Sequence, residues 1–148
     1  MKRREALAAS GTLLMVALSS TSLAQNMDQT HDHAHMHGGP NQTLIAAAVD
    51  CVVKGQACLA HCLVLLADGD KAMASCAKAV NQMLAVCGAL QNLAAQQSAL
   101  LPALAKVALD ACQLCEKECR QHEKKHAECK ACMDSCMECA KQCKALSA

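Results

Sequence analysis

From residue 41 onward the apolar positions recur at steps of three and four, the period that gathers side chains on one face of an α-helix. The chain has four such segments. The first helix is predicted from about Asn41 to Ala67, behind Pro40, with Asn41 or Thr43 as its cap. Its stripe is Leu44, Ala48, Cys51, Gly55, Cys58 and Cys62. Asp68-Gly69-Asp70 predicts a turn and the cap of a second helix, which runs to about Ala94. Its stripe is Met73, Cys76, Val80, Met83, Cys87 and Leu90. The third helix starts between Ser98 and Leu101, because Pro102 is tolerated only near a first turn. Its stripe runs through Leu101, Ala105, Ala108, Cys112, Cys115, Cys119 and His122. The fourth, from about Lys125 to Leu146, carries Cys129, Cys132, Cys136, Cys139 and Cys143 in an unbroken three-four rhythm. Four helices with short links predict an all-α fold, an up-down-up-down four-helix bundle. The stripe that usually holds leucine holds cysteine instead, so the bundle has a cysteine-lined core.

The remaining faces divide cleanly. Lys117, Arg120, Lys130, Asp134, Glu138 and Lys141 mark solvated outer faces on the last two helices. The first helix has a second apolar row, Val53, Ala57, Ala60 and Val64, away from its cysteines, which predicts a self-association surface. The alternating topology also sorts the stripes by end. One mouth collects His61, Cys62, Met73, Cys76, Cys119, His122, His126 and Cys129, with His126 in or near a turn. The opposite end is a hydrocarbon plug of Leu44, Leu90, Leu101 and Leu146.

Composition changes this picture in two ways. Hydrophobic residues make up 53% of the chain, yet Phe, Tyr and Trp are absent, so something other than rings must fill the interior. A net charge of +1 argues against a nucleic-acid partner. The N-terminus reads as an export signal over residues 1–24: basic Lys2-Arg3-Arg4, an apolar run from Ala8 to Leu18, and Ser22-Leu23-Ala24 before a cleavage point. The run is too short to span a bilayer, and no spanning segment is expected in the mature form. The Arg3-Arg4 pair is of the twin-arginine type, which predicts export after folding, to the periplasm or an associated internal membrane compartment. Residues 25–40 read as a His-rich linker in which His31, His33, His35 and His37 alternate. It is a solvated tether, or else a weak site for Cu(II) or Zn(II). Residues 41–148 form the metal-binding domain.

Thirteen cysteines on inward stripes narrow the chemistry. Simple packing accounts for one or two buried thiols, not four stripes. A disulfide scaffold leaves one of an odd number over, and pairs within one helix gain little loop-closure entropy. Redox catalysis needs a low-pKa thiol at a helix N-terminus in a βαβ setting. Zinc or an iron–sulfur cluster wants quartets of thiolate, whereas the ladder is continuous and lacks the ferredoxin spacing. Cu(I) fits best: it is soft, prefers thiolate and thioether, and accepts two sulfurs one helical turn apart. CxxxC pairs at Cys58/Cys62, Cys115/Cys119, Cys132/Cys136 and Cys139/Cys143 offer that arrangement. With bridging thiolates the ceiling is about one Cu(I) per cysteine. Such a column is locally neutral, which removes the cost of isolated ions in a low dielectric. Met73 and Met83 lie on the stripe as thioether ligands or core filling, and His61 and His122 are mouth ligands or surface residues. Met133 and Met137 flank the stripe as packing.

These features together resemble the bacterial copper storage proteins, in particular the exported type of methane-oxidising bacteria. The resemblance rests on the twin-arginine leader, the bundle, and the CxxxC and CxxC steps from Cys51 to Cys143. It implies a homotetramer, no enzymatic activity, copper donors and acceptors as partners, and storage of copper for a membrane-bound methane monooxygenase. It also implies ligation by all thirteen cysteines, with His61 and Met73 at the mouth. The second helix has only two cysteines, so the column is expected to be thinnest on that wall. The alternative reading is a thiol-based detoxification or zinc-buffering protein.

Overall fold

A computed structural model describes residues 39–147. The leader and most of the His-rich tract therefore lie outside the described residues. Four helices follow one another: α1 (Gln42–Ala67), α2 (Ala74–Ala95), α3 (Leu101–Arg120) and α4 (Ala127–Ser147). Each packs against its neighbour in sequence, and α1 also packs against α4, so the helices close a ring with the two diagonal pairs held apart. The space between those diagonals is where the stripes meet. The expected four-helix bundle is thus the observed fold.

The helix ends show how the chain is punctuated. Asn41 stands at the N-cap of α1 but adopts a left-handed backbone (φ 71°), and its side chain makes no cap hydrogen bond. Its amide instead donates to the Ala94 carbonyl, 3.5 Å away, which ties the start of α1 to the end of α2. Neither cap expected there acts, since Thr43 lies inside the first turn. Gly69 takes φ 94° in the turn after α1, a conformation that a side chain would strain. Asp70 then caps as expected, its carboxylate accepting from the Ala72 amide at 3.1 Å. The segment it caps is a 3-10 turn, Lys71–Met73, and α2 starts only at Ala74. Pro102 sits in the first turn of α3, where its missing N–H costs least. The last link is longer than expected: Lys125 and His126 still bond back to His122, and α4 begins at Ala127.

The core is built of small side chains and sulfur. Leu44, Leu90 and Leu101 are buried and Leu146 is partly buried against the core, and these make the hydrocarbon plug. The second row of α1 is exposed, with Val53 at 54% and Val64 at 60% of full accessibility. Two helices, Gln42–Ala67 and Lys71–Ala95, match a membrane span in length and apolar content alone, although none was expected after the leader. Both carry stripe cysteines that are buried in the bundle. Met137 departs from the expected packing role: it is 47% exposed, whereas Met133 is buried.

Candidate metal centre

All thirteen cysteines have zero accessible surface. Each stripe therefore points inward over its full length, as helical spacing requires when the opposite face is charged or exposed. They are present as thiols rather than disulfides. Neighbouring sulfurs stand 3.5 to 3.9 Å apart, as in Cys76–Cys119 and Cys115–Cys119. A disulfide would bring them to about 2.05 Å. The observed gap suits one ion held between two sulfurs.

The thiols fall into layers. Cys51, Cys87, Cys112 and Cys139, one from each helix, hold their sulfurs within 4.8 Å of one another. Towards the mouth, Cys58 and Cys62 of α1, Cys76 of α2 and Cys129 of α4 form a second quartet within the same distance. Two triads lie between them, Cys58/Cys119/Cys132 and Cys115/Cys132/Cys136. Cys58 joins the outer quartet to one triad, Cys132 joins the two triads, and Cys136 meets Cys51 and Cys112 of the inner quartet, so the groups make a continuous column rather than isolated pockets. Cys143 is buried towards the plugged end and meets Cys139. The sequence showed a ladder without quartets, and the structure corrects this. Quartets form across helices, and a spacing rule along one helix cannot show them.

Burial raises the energy of every thiolate here, and hydrogen bonds between thiols then separate them. The Cys119 thiol falls to about 6, first through its contact with Cys115, then through Cys58 and Cys76, against Cys132 and burial. Cys132 also falls to about 6; its contact with Cys115 raises it, but Cys119, Cys136 and Cys58 outweigh that. Cys58 and Cys136 are pushed up, led by Cys119 and Cys112 respectively, because they hold protons for their neighbours. The column thus mixes thiolates with donating thiols, and a soft cation can replace each remaining proton.

Met73 and Met83 are fully buried on the α2 side, so their thioethers reach the wall with the fewest cysteines. A Cβ on Gly55 would stand 2.6 Å from the Met83 methyl and 2.9 Å from Leu84 Cδ2. Gly55 therefore makes room for α2 side chains and serves helix packing. His61 is half-buried at the mouth, and its Nε2 lies 2.9 Å from Nδ1 of His126. His122 is also half-buried, with its ring centroid 6.3 Å from that of His126. His61 Nε2 is 3.7 Å from a carboxylate oxygen of Glu128. Sequence reasoning placed His126 at this end but left it out of the ligand set, and passed over Glu128. The one signal was that each stands beside or just before an inward cysteine of α4.

The family model described as Csp, copper storage protein, matches residues 34–148. Among solved structures, the chain is similar to the Cu(I)-bound copper storage protein BsCsp3, at 24% identity and a TM-score of 0.65, over 73% of this chain and 98% of that one. It is likewise similar to copper-free Csp3, copper storage protein 3 from Bacillus subtilis, at 25% identity and a TM-score of 0.64, over 73% of this chain and 99% of that one. No curated protein matches the chain.

Proposed function

Since the chain belongs to the copper storage protein family, we propose that it stores Cu(I) along the thiol column, up to about one ion per cysteine, and turns over no substrate. The observation that carries this reading is the unbroken run of buried sulfurs, from the Cys58/Cys62/Cys76/Cys129 quartet to the Cys51/Cys87/Cys112/Cys139 quartet. Cu(I) is soft enough to prefer these donors. One Cu⁺ for each thiolate keeps the column neutral in a low-dielectric interior. All thirteen cysteines are assigned as ligands, with Met73 and Met83 completing the α2 wall. Ions pass in and out through the mouth, handed on by His61, His122 and Met73. The aliphatic plug at the far end leaves that mouth as the route.

The finer reading is a folded, exported homotetramer in the periplasm or an internal membrane compartment, supplying a membrane-bound methane monooxygenase. The Arg3-Arg4 leader supports export after folding. The exposed row of Val53, Ala57, Ala60 and Val64 supports self-association. Likeness to the exported storage proteins of methane-oxidising bacteria supports the recipient.

A zinc-buffering role is the second reading, and the quartets favour it. Tetrahedral zinc with four thiolates at about 2.3 Å sets sulfurs about 3.8 Å apart, and Cys58–Cys129 and Cys62–Cys76 stand at 3.8 Å. Anaerobic titration of reduced protein with Cu(I) against a competing chelator tests both. Uptake should continue well past four equivalents and displace pre-bound Zn(II). Saturation at one or two ions would make the protein a chaperone, and retention of Zn(II) against Cu(I) would make it a zinc buffer.

A further inference from the structure

We propose that His61, His126 and Glu128 form a second kind of metal site, for a borderline divalent cation of the Zn(II) class, which closes the mouth of the thiol column when occupied. Two donor atoms, from the link before α4 and from α4 itself, approach His61 of α1. His61 Nε2 and His126 Nδ1 are 2.9 Å apart. The Glu128 carboxylate stands 3.7 Å from the same His61 nitrogen. Two nitrogens on one tetrahedral zinc, each at about 2.0–2.1 Å, lie about 3.3 Å apart, so the pair needs to open by only about 0.4 Å. The Glu128 side chain is 41% exposed and has room to close the third edge by rotation. A fourth position is left for water or for His122, whose ring neighbours that of His126.

The donor set differs in kind from the column beneath it. Imidazole and carboxylate suit Zn(II) or Cu(II), whereas Cu(I) gains more from the thiolates below. His61 adjoins Cys62 and Glu128 adjoins Cys129, and both cysteines belong to the outer quartet. A divalent ion there bridges α1 and α4 at the end of the column where that quartet lies. It also takes His61 out of the Cu(I) path. Only this consequence, slower copper exchange, rests on the storage reading; the site itself rests on its own three side chains.

Co(II) is the probe, because its visible bands report nitrogen and oxygen donors while thiolate adds intense near-ultraviolet charge transfer. Full-length reduced protein, loaded with Cu(I), is titrated with Co(II) beside Glu128→Gln and His126→Ala. The His31–His37 tract is common to all three, so the difference reads the mouth. Wild type should bind one more Co(II) than either variant, or bind it at least about tenfold more tightly. The difference spectrum should lack sulfur charge transfer. Zn(II) should slow withdrawal of Cu(I) by a strong chelator several-fold in wild type and not in Glu128→Gln. The same Co(II) difference is read on copper-free protein, so a failure to load copper leaves this test intact. Equal Co(II) binding by all three proteins would overturn the site, as would thiolate bands in the difference spectrum. Chelation rates that ignore Zn(II) would overturn closure of the mouth. Glu128→Gln is isosteric and partly exposed, so it keeps the comparison valid where His126→Ala loses structure.

Discussion

Cys132 belongs to both central triads and Cys119 to one of them, and contacts across the bundle add to those along their own helices in setting their chemistry. Both fall to about 6 from the ordinary thiol value of 9.0. A group lowered on folding stabilises the fold above its unfolded value and loses that contribution as pH falls through its folded value. For these two the stabilisation is complete above about pH 9 and fades through about pH 6. Metal-free protein should therefore show a rise in thiolate ultraviolet absorbance near pH 6, and the rise should shrink in Cys119→Ser and Cys132→Ser. If no thiolate appeared below about pH 8, the shared-proton account of the column would fail. That all thirteen cysteines point inward was legible from three-four spacing alone. How far each thiol falls was not, because neighbours from other helices add to those along the same one: Cys58 and Cys76 to Cys115 for Cys119, and Cys119 and Cys58 to Cys136 for Cys132.

At the scale of elements, α1 and α2 meet over Gly55. The Met83 methyl and the tip of Leu84 occupy the space that a Cβ would take. Gly55→Ala should gain up to about 1 kcal/mol in helix propensity and lose about 1–3 kcal/mol to overpacking. The net expectation is a bundle weaker by about 1 kcal/mol in urea denaturation. A more stable variant would mean that Met83 turns aside without cost, and that the glycine is not there for packing. The helices themselves were legible to within a few residues, since their period and their Pro102 and Asp70 signals are local. The Asn41 cap was misread because its side chain is drawn off by Ala94, more than fifty residues along the chain. The 3-10 turn at Lys71–Met73 and the late start of α4 escaped for a similar reason: how a link tightens depends on the helices it joins.

At the scale of the whole molecule, α1 carries apolar residues on its outer face as well as its inner one. It buries its sulfur stripe yet leaves Val49, Val53, Leu63 and Val64 exposed. A homo-oligomer that covers this row should be broken by Val53→Lys with Val64→Lys, because two desolvated ammonium groups cannot be matched by the same face of a copy. Sedimentation should then show the smaller species, with helicity and Cu(I) uptake retained. An unchanged oligomer would place the interface elsewhere.

The order of residues along the chain determined the helices, the inward run of thiols, the soft-metal chemistry and the contrast between a ligand-rich mouth and an aliphatic plug. The first three follow from periodicity and residue type, properties of one helix at a time, and the last from the alternating helix direction that short links impose. Only the packed bundle decided how sulfurs group into quartets and triads, which thiols surrender their protons, and that His126 and Glu128 gather on His61. Those outcomes depend on register between helices, and register is set by contacts such as Met83 on Gly55 and Asn41 on Ala94, between residues far apart in the chain.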